Sequence, residues 1–440
     1  MNGDGTRGTV LVVGGGISGI TAAVEASEAG CRVVLVEREP YLGGRVARLY
    51  QYFPKLCAPQ CGLEIHLKRL RTSPRVRCLT LARVRRIAGG PGRYRATIEH
   101  QPRFVTPRCT GCGACVAACP VERPDAFNLG MGTTRAVYLP YAAAWPQRYV
   151  VDGAVCPGAS CARCVPACPY GAIDLGMRPR TEEIEAQAVV WATGWDPYDA
   201  ARLEGLGFGQ YPDVITNVMM ERLAAADGPT GGRIVRPSAK GGGDGAVSSV
   251  AFVQCAGSRD ESHLRHCSGV CCLGSLKQAR YVRAQYPDAA IEIFYIDIRS
   301  PGRLEDFYAA SQEDPKLRLT KGKVARITED PATHRLTVEA EDALAGVPVR
   351  RQADLVVLAT GMAPAGDGGV QVDQPLGRDE LGFLTDEPQS GGMFAAGCAH
   401  RPTDVATCVR DATAAALKSL QACARAGAEQ TGTAAAGGAR

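Results

Sequence analysis

No stretch of this 440-residue chain is apolar for long enough to cross a membrane. The apolar runs, such as Thr9-to-Val13 and Leu355-to-Ala359, have strand length, far short of the roughly 18 residues a span needs. The chain starts with a polar Met1-to-Gly8 segment and has no charged-then-apolar leader, which predicts a protein that is not exported. A large charge imbalance is also missing. The formal net charge of +5 is slight for this length, and no basic stretch is interleaved with stacking aromatics, so nucleic-acid binding is not expected. Histidine is scarce: there are 6, and those at His66, His263, His266 and His400 show no ligand spacing. Cysteine, in contrast, is abundant at 19, and in an unexported chain those thiols should be reduced and metal-bound more than disulfide-bonded.

Eight of them form two runs. The first is Cys109-x2-Cys112-x2-Cys115-x3-Cys119-Pro120, the second Cys156-x4-Cys161-x2-Cys164-x3-Cys168-Pro169. Three thiolates at x2 spacing can face one cubane on a tight loop, while a fourth before a proline turns away and ligates the other cluster in two-cluster ferredoxins. The expected pairing is therefore crossed, Cys109, Cys112 and Cys115 with Cys168, and Cys156, Cys161 and Cys164 with Cys119. The x4 gap requires a longer loop at Cys156, the ligand that the spacing supports least. Zinc is the alternative, although its tetrahedral sites normally use two well-separated CxxC knuckles.

Near the start, Thr9-to-Val13 leads into Gly14-Gly15-Gly16-Ile17-Ser18-Gly19 and then Ile20-to-Ala29, which reads as strand, glycine turn and helix. Gly14 permits the tight turn, Gly16 lets the backbone reach a pyrophosphate, and Gly19 allows close helix–strand contact. Gly30 sits where a helix C-cap is wanted, a second strand follows at Arg32-to-Val36, and Glu37 closes it where a ribose-binding acid belongs. The following Gly43-Gly44-Arg45 resembles the second glycine pair of flavoproteins that bind FAD in the glutathione-reductase manner. Two strand-plus-ATG segments, ending at Thr193-Gly194 and Thr360-Gly361, and a last flavin strand ending at Gly397 are similar to the same family. After that strand Asp404 is placed to cap a helix running to about Ala424, with its N-terminal amides toward the flavin ring.

Flavoproteins of this architecture carry a second Rossmann unit for NAD(P)H, whose strand should lie near Val250-to-Val253. No glycine fingerprint follows it, which disfavours nicotinamide binding. Cys255, Cys267, Cys271 and Cys272 occupy the place, and their irregular spacing alone is equally compatible with a cluster, zinc or buried free thiols. Cys57 and Cys61, just after the flavin glycines, could form a redox dithiol or serve packing or partner contact. Cys398 lies where related flavoproteins often have an acidic residue. Cys31, Cys78, Cys408 and Cys423 are isolated and read as small buried residues.

The CxGSRDE…CSxxCC stretch, the GGGISG turn, the GGR pair and a ferredoxin cassette inserted in a flavin domain together resemble the A subunits of heterodisulfide reductases. Segments such as Tyr52-Phe53-Pro54-Lys55-Leu56-Cys57, Trp191-to-Ala201 and Phe294-Tyr295-Ile296-Asp297-Ile298-Arg299 are, within that family, similar to the A subunits of quinone-interacting membrane-bound oxidoreductases. The resemblance runs from Gly8 to about Ala424. It implies FAD, two 4Fe–4S clusters in the cassette, and a further cluster near the flavin on Cys255, Cys267, Cys271 and Cys272. It also implies other subunits of one oxidoreductase complex as partners, among them a membrane-embedded quinone-reactive subunit, together with adenylylsulfate reductase of dissimilatory sulfur metabolism. The chain itself would then be cytoplasmic and attached peripherally to the inner face of the membrane through its partners.

The expected fold is α/β, of the glutathione/thioredoxin reductase class. Its flavin domain would comprise residues 1–100, 179–225 and 340–425, interrupted by a ferredoxin-like cassette at 101–178. A second Rossmann-like unit would span 248–335 after a glycine-rich linker. The small-residue-rich tail, 426–440, is expected to be disordered.

Overall fold

The structure, a computed structural model, describes residues 6–239, 245–374, 376–385 and 391–437; the linker glycines Gly241, Gly242 and Gly243 lie outside them. Its helices are α1 Ile17–Glu28, α2 Pro59–Thr72, α3 Ala114–Ala118, α4 Cys164–Ala167, α5 Asn217–Ala224, α6 Cys271–Gln285, α7 Glu305–Gln312 and α8 Val405–Gly437. The chain divides into two compact units. The first comprises residues 1–47, 60–195 and 364–440, the second 48–59 and 196–363.

The first unit is built on a parallel sheet ordered Met393–Ala395, Ala188–Trp191, Thr9–Val13, Arg32–Glu37, Val76–Thr80. Its central strands read as unbroken β-branched and aliphatic runs because both faces are covered, the composition a buried parallel sheet requires. α1 ends in a Schellman motif, with Cys31 N–H bonded to Ala26 O at 3.0 Å and Gly30 N–H to Ser27 O at 3.1 Å. Gly30 takes the left-handed conformation the motif needs, φ +99°. A second sheet, Arg180–Ala186, Arg93–His100 and Ala82–Gly90, is antiparallel, and Gln371–Val372 adds in parallel to Ala82–Gly90 at its edge. Here Arg180 pairs with His100, so the chain leaves one hairpin at His100 and returns to it at Arg180. The residues between form the cassette, with α3, α4, two short ribbons and a small core of Val105, Cys115, Ala136, Val151, Cys164 and Ile173.

The second unit repeats the theme, its parallel sheet ordered Val214–Thr216, Leu355–Thr360, Ser249–Ala256, Ala290–Tyr295, Leu317–Lys321. A three-stranded antiparallel meander, Val324–Glu329, Leu336–Asp342 and Val347–Ala353, packs beside it.

Three boundaries differ from those the sequence suggests. Residues 340–363 belong to the second unit, because Leu355–Thr360 hydrogen-bonds between Val214–Thr216 and Ser249–Ala256. Residues 196–225 join it for the same reason, since they supply the edge strand and α5. Residues 48–59 interrupt the first unit and are held in the second by buried polar groups: Glu221 accepts the Tyr50 N–H at 3.0 Å, Lys277 Nζ donates to Gln51 O at 2.8 Å, and Phe53 meets Phe307 edge-on at 4.6 Å. The tail differs as well. α8 continues through Gly437, beyond both the expected helix end at Ala424 and the start of the expected disorder, as an alanine-rich segment favours. Residues 438–440 lie outside the described residues.

Lys277 and Glu221 form an ion pair at 2.9 Å with side chains only 6% and 5% exposed, and Gln278 Nε2 and the Tyr281 hydroxyl also donate to Glu221, at 2.7 and 3.3 Å. Removing one partner of such a pair strands a buried charge, at a cost of about 3–5 kcal/mol. Glu221→Ala is therefore expected to lower the chemical-denaturation midpoint strongly and to expose the 48–59 segment to protease. Glu221→Gln, which fills the same space and keeps one acceptor oxygen, for either Tyr50 or Gln278, should lose less.

Candidate flavin and iron–sulfur sites

Two glycine turns that lie far apart in the sequence meet in the first unit. Gly14 has φ +106° and donates to Val36 O at 2.8 Å, which turns the chain out of the first strand. A Cβ at Gly14 would stand 2.3 Å from Ala192 O, and one at Gly19 only 1.8 Å from Gly14 O, so both positions require glycine for close packing. Gly16, the N-cap of α1, is different. A Cβ there would meet nothing nearer than Gly44 Cα at 4.0 Å. Gly43 donates to Gly15 O at 2.8 Å and bridges to Gly16, bringing the second glycine pair against the first. The result is an open backbone cradle at a helix N-terminus, the feature a pyrophosphate needs.

Glu37 closes the second strand beside this cradle. Its side chain is buried, and its two oxygens accept N–H groups of Gly15 at 2.6 Å and Glu39 at 2.8 Å. Burial pushes its carboxyl above the usual range, against the pull of those two bonds. A carboxylate can accept further bonds, so Glu37 still has lone pairs for ribose hydroxyls. Thr193 donates to Gly366 O at 2.7 Å, and Gly194, at φ +76°, has open space above its Cα. Arg45 is committed to the protein itself, with Nε bonded to Trp195 O at 2.6 Å and its guanidinium over the Trp195 ring. Asp404 Oδ1 accepts the Thr407 N–H at 2.7 Å and caps α8, while Gly397, at φ +60°, packs on Ser18.

Gly361 lies at the end of the corresponding strand of the second unit. A Cβ there would run into Ser258 Oγ at 2.0 Å and Ser268 Oγ at 3.2 Å, so its Cα face is filled by the cysteine loop of that unit. The ATG string ends a parallel strand in both units, which is why the sequence pattern could not separate them.

In the cassette the eight thiols fall into two electrostatic groups. Burial, then the neighbouring Cys109 and Cys168, push Cys115 up to about 11. Burial, then Cys156, Cys119 and Cys161, push Cys164 up. Cys112 joins the first group, since Tyr149 is raised by burial and then by Cys115, Cys109 and Cys112. Each group thus contains the proline-flanked cysteine of the other run. Backbone N–H groups already point at two sulfurs, Gly158 to Cys156 at 3.4 Å and Ala172 to Cys168 at 3.3 Å, the kind of bond that tunes a cluster's potential.

Cys255, Cys267, Cys271 and Cys272 also converge, in the second unit. Cys255 ends the central strand at a bulge, in a left-handed conformation with φ +54°, and Cys271 and Cys272 open α6. Burial raises Cys271, with Cys272, Cys255 and Cys267 adding to it, so the four lie within each other's field. Cys255 is pushed up to about 11 by burial and then by Cys272. Gly269 at φ +72° allows the sharp turn into α6 and donates to Cys267 Sγ at 3.3 Å. Where a nucleotide-binding turn would be short, residues 257–270 form a long loop, and Tyr198 stands against Gly257, 2.5 Å from where its Cβ would be.

Deprotonated thiolates are costly in such buried places unless metal charge compensates them, and iron–sulfur cores supply that charge. Among the described residues no three His, Cys, Asp or Glu side chains converge on the position of a single ion.

A cavity of about 440 Å³ opens beside the second-unit cysteines, lined by Arg259, Asp260, Glu261, Arg265, Cys267 and Arg299. Arg259 is ion-paired with Asp297, as is Arg299 at 3.6 Å. No spacing rule singles out these arginines, although Arg259 and Arg299 lie inside two of the segments that carry the family resemblance. Cys57 and Cys61 are both exposed and fall in different units, Cys61 in the first turn of α2.

Residues 9–59 match the FAD dependent oxidoreductase family, and residues 102–122 match the 4Fe-4S binding domain. The first match contains the Gly14–Gly19 turn and the Gly43-Gly44-Arg45 pair, the second Cys109, Cys112, Cys115 and Cys119. Over 94% of the chain, thioredoxin reductase from T. acidophilum superimposes with a TM-score of 0.52, covering 98% of that structure at 13% identity, which shows the fold. The molecule is an oxidoreductase of thioredoxin-reductase fold that carries FAD and 4Fe–4S clusters. Its relatives by sequence are A subunits of heterodisulfide reductases. The second iron–sulfur A subunit of CoB--CoM heterodisulfide reductase from Methanopyrus kandleri is 38% identical over 425 residues, 94% of this chain and 64% of that protein. The corresponding A subunit from Methanocaldococcus jannaschii is 38% identical over 92% of this chain and 63% of its own length. The A subunit of the ferredoxin/F(420)H(2)-dependent enzyme from Methanosarcina acetivorans is 36% identical over 94% of this chain and 53% of its own length. The chain therefore spans between half and two thirds of these relatives. Among the described residues no helix is long and apolar enough to cross a membrane.

Proposed function

We propose that the protein is the electron-transfer flavoprotein component of a heterodisulfide-reductase-like complex. In this reading FAD lies on the Gly14–Gly19 and Gly43-Gly44 turns with Glu37 at its ribose, while two cassette clusters and a third on Cys255, Cys267, Cys271 and Cys272 pass electrons singly. A flavin exchanges electrons in pairs or singly, which makes it the branching or storage point between such clusters. The observation that carries the reading is the four-thiol group at the carboxyl end of the second unit's central strand, where ligands of open parallel sheets bind. That group stands where a nucleotide turn would be, and so favours cluster over nicotinamide chemistry.

For partners, the segments around Cys57, Trp195 and Asp297 support a quinone-interacting complex, attached to the membrane through a separate embedded protein and served by adenylylsulfate reductase as its cytoplasmic partner. The second reading, the A component of a heterodisulfide reductase with flavin-based bifurcation, is favoured by the 38% identity to proteins of that name. A third reading is a disulfide reductase using the exposed thiols Cys57 and Cys61.

Cys271→Ser tests the reading in anaerobically purified protein. FAD content should stay at the wild-type level, one cluster's signal should vanish from the spectrum of the reduced protein, and reduction of a quinone analogue by the reconstituted complex should fall by a factor of about 100 or more. Unchanged iron and sulfide in this variant would return the four cysteines to packing, and rapid bleaching of the flavin by NADH alone would overturn the electron-transfer role. Turnover with CoB-CoM heterodisulfide in place of quinone would select the second reading.

A further inference from the structure

Two cysteines that the sequence leaves isolated meet in the first unit. Cys398 Sγ and Cys408 Sγ are 3.6 Å apart, and both residues are buried. Cys398 lies in the turn Gly397–Ala399 after the last strand of the flavin sheet, and Cys408 in the first turn of α8. The pair adjoins the cradle. The Ser18 hydroxyl reaches Cys408 Sγ, Ser18 is in the first turn of α1 just after Gly16, and a Cβ at Gly397 would stand 2.1 Å from Ser18 Oγ and 3.1 Å from Cys408 Sγ.

Simple packing would account for two small buried residues, but three further features fit a redox couple better. First, the sulfurs are already in van der Waals contact, and closing to a bond of about 2.05 Å requires a shift of roughly 1.5 Å. Second, the pair is chemically asymmetric: the hydrogen bond from Cys398 holds Cys408 below the usual thiol range, while the same bond, together with burial, pushes Cys398 up. The more readily deprotonated thiol of such a contacting pair is the one that attacks when an oxidant closes it. Third, Cys398 occupies the place where flavoproteins of this fold often have a carboxylate, so a group that could only bind is replaced by one that can be oxidised.

We propose that Cys398 and Cys408 are a redox-active dithiol of the flavin site, a two-electron store in contact with the residues that form the cofactor's cradle. The inference rests on the reading that FAD lies on the Gly14–Gly19 turn. Oxidation breaks two S–H bonds and forms one S–S bond. The two electrons and two protons pass to oxidised FAD, which becomes the dihydroflavin, and the reverse transfer reopens the dithiol. The closed form ties the Gly397–Ala399 turn covalently to the start of α8. A store of this kind would let a two-electron donor or acceptor be matched to clusters that move electrons singly.

The test uses FAD-loaded protein, poised anaerobically at a series of potentials, quenched in acid, alkylated under denaturing conditions and mapped by peptide mass. A Cys398–Cys408 disulfide is expected in the fully oxidised sample and two alkylated cysteines in the reduced one. Reductive titration should require two electrons more per chain for wild type than for Cys408→Ser at equal flavin and iron content. Cys398→Ser gives the same comparison if Cys408→Ser does not fold, and the peptide map needs no variant. FAD-loaded protein in which both cysteines stay alkylatable at every potential, or variants that take up as many electrons as wild type, would overturn the proposal. Protein that folds without FAD would instead defeat the cofactor assignment on which it rests, and flavin content measured on the same sample separates the two outcomes.

Discussion

Gly16→Val should fold and yet be purified almost free of flavin. The three glycines of the turn are not equivalent. A Cβ at Gly19 would stand 1.8 Å from Gly14 O, and one at Gly14 2.3 Å from Ala192 O, so substitutions there displace backbone and are expected to destabilise by about 1–3 kcal/mol or more. At Gly16 the nearest atom is 4.0 Å away, and the backbone, φ −74° and ψ −175°, suits any residue. The chain can therefore accommodate valine, but its side chain would project into the space at the α1 N-terminus where the pyrophosphate must approach the amides. Flavin content should drop at least tenfold while far-ultraviolet circular dichroism stays near wild type and the cassette clusters remain. A flavin-replete Gly16→Val protein would move the cofactor off this turn. Gly19→Ala serves as the contrast, since it should lose folded protein and flavin together.

The parts of this fold that were legible in the sequence are those set by local geometry. The Gly14–Gly19 turn, the Gly30 cap and the cysteine runs each declare themselves, because a left-handed residue or a metal loop constrains a short, contiguous segment. What the sequence hid depends on distant partners. The Leu355–Thr360 strand carries the same ATG ending as Ala188–Trp191, and only its hydrogen bonds to Val214–Thr216 and Ser249–Ala256 assign it to the second sheet. The excursion at 48–59 follows from Glu221 and Lys277, far along the chain, whose burial as a pair no local pattern announces. Cys398 and Cys408 were visible individually, but their meeting needed the last flavin turn and α8 to be packed together. The extension of α8 past Ala424 was hidden by composition, because alanine and glycine at a terminus suit disorder and helix almost equally until the helix is already nucleated.

Replacing Cys168 should remove the cluster of the other cysteine run. By sequence Cys168 belongs with Cys156, Cys161 and Cys164, and if each run held its own cluster, Cys168→Ser would damage that cluster alone. In the folded cassette Cys168 lies near enough to Cys115 to raise it, and Cys119 near enough to Cys164 to raise that one. The cause is the short helices. α3 and α4 each end at the cysteine before the proline, Cys119 and Cys168, both in extended conformation, and the side chain leaves its own loop for the neighbouring one. Cys168→Ser should thus lower iron and sulfide by one cluster, about a third of the total for a chain with three. The lost signal should be the one also lost in Cys112→Ala. Cys119→Ser should match Cys161→Ala instead. The comparison is made by electron paramagnetic resonance of the four reduced variants, in which pairs sharing a cluster share a residual spectrum. If the spectra of Cys168→Ser and Cys161→Ala coincide while that of Cys112→Ala differs, ligation is uncrossed and each loop binds its own cluster. Coincidence of Cys168→Ser with Cys112→Ala would establish that the two clusters share their loops, which also means that losing one should destabilise the other. Cys156→Ala then isolates the remaining question of the longer x4 loop: loss of the Cys161 cluster alone would make Cys156 its fourth ligand, and retention of both clusters would exclude it.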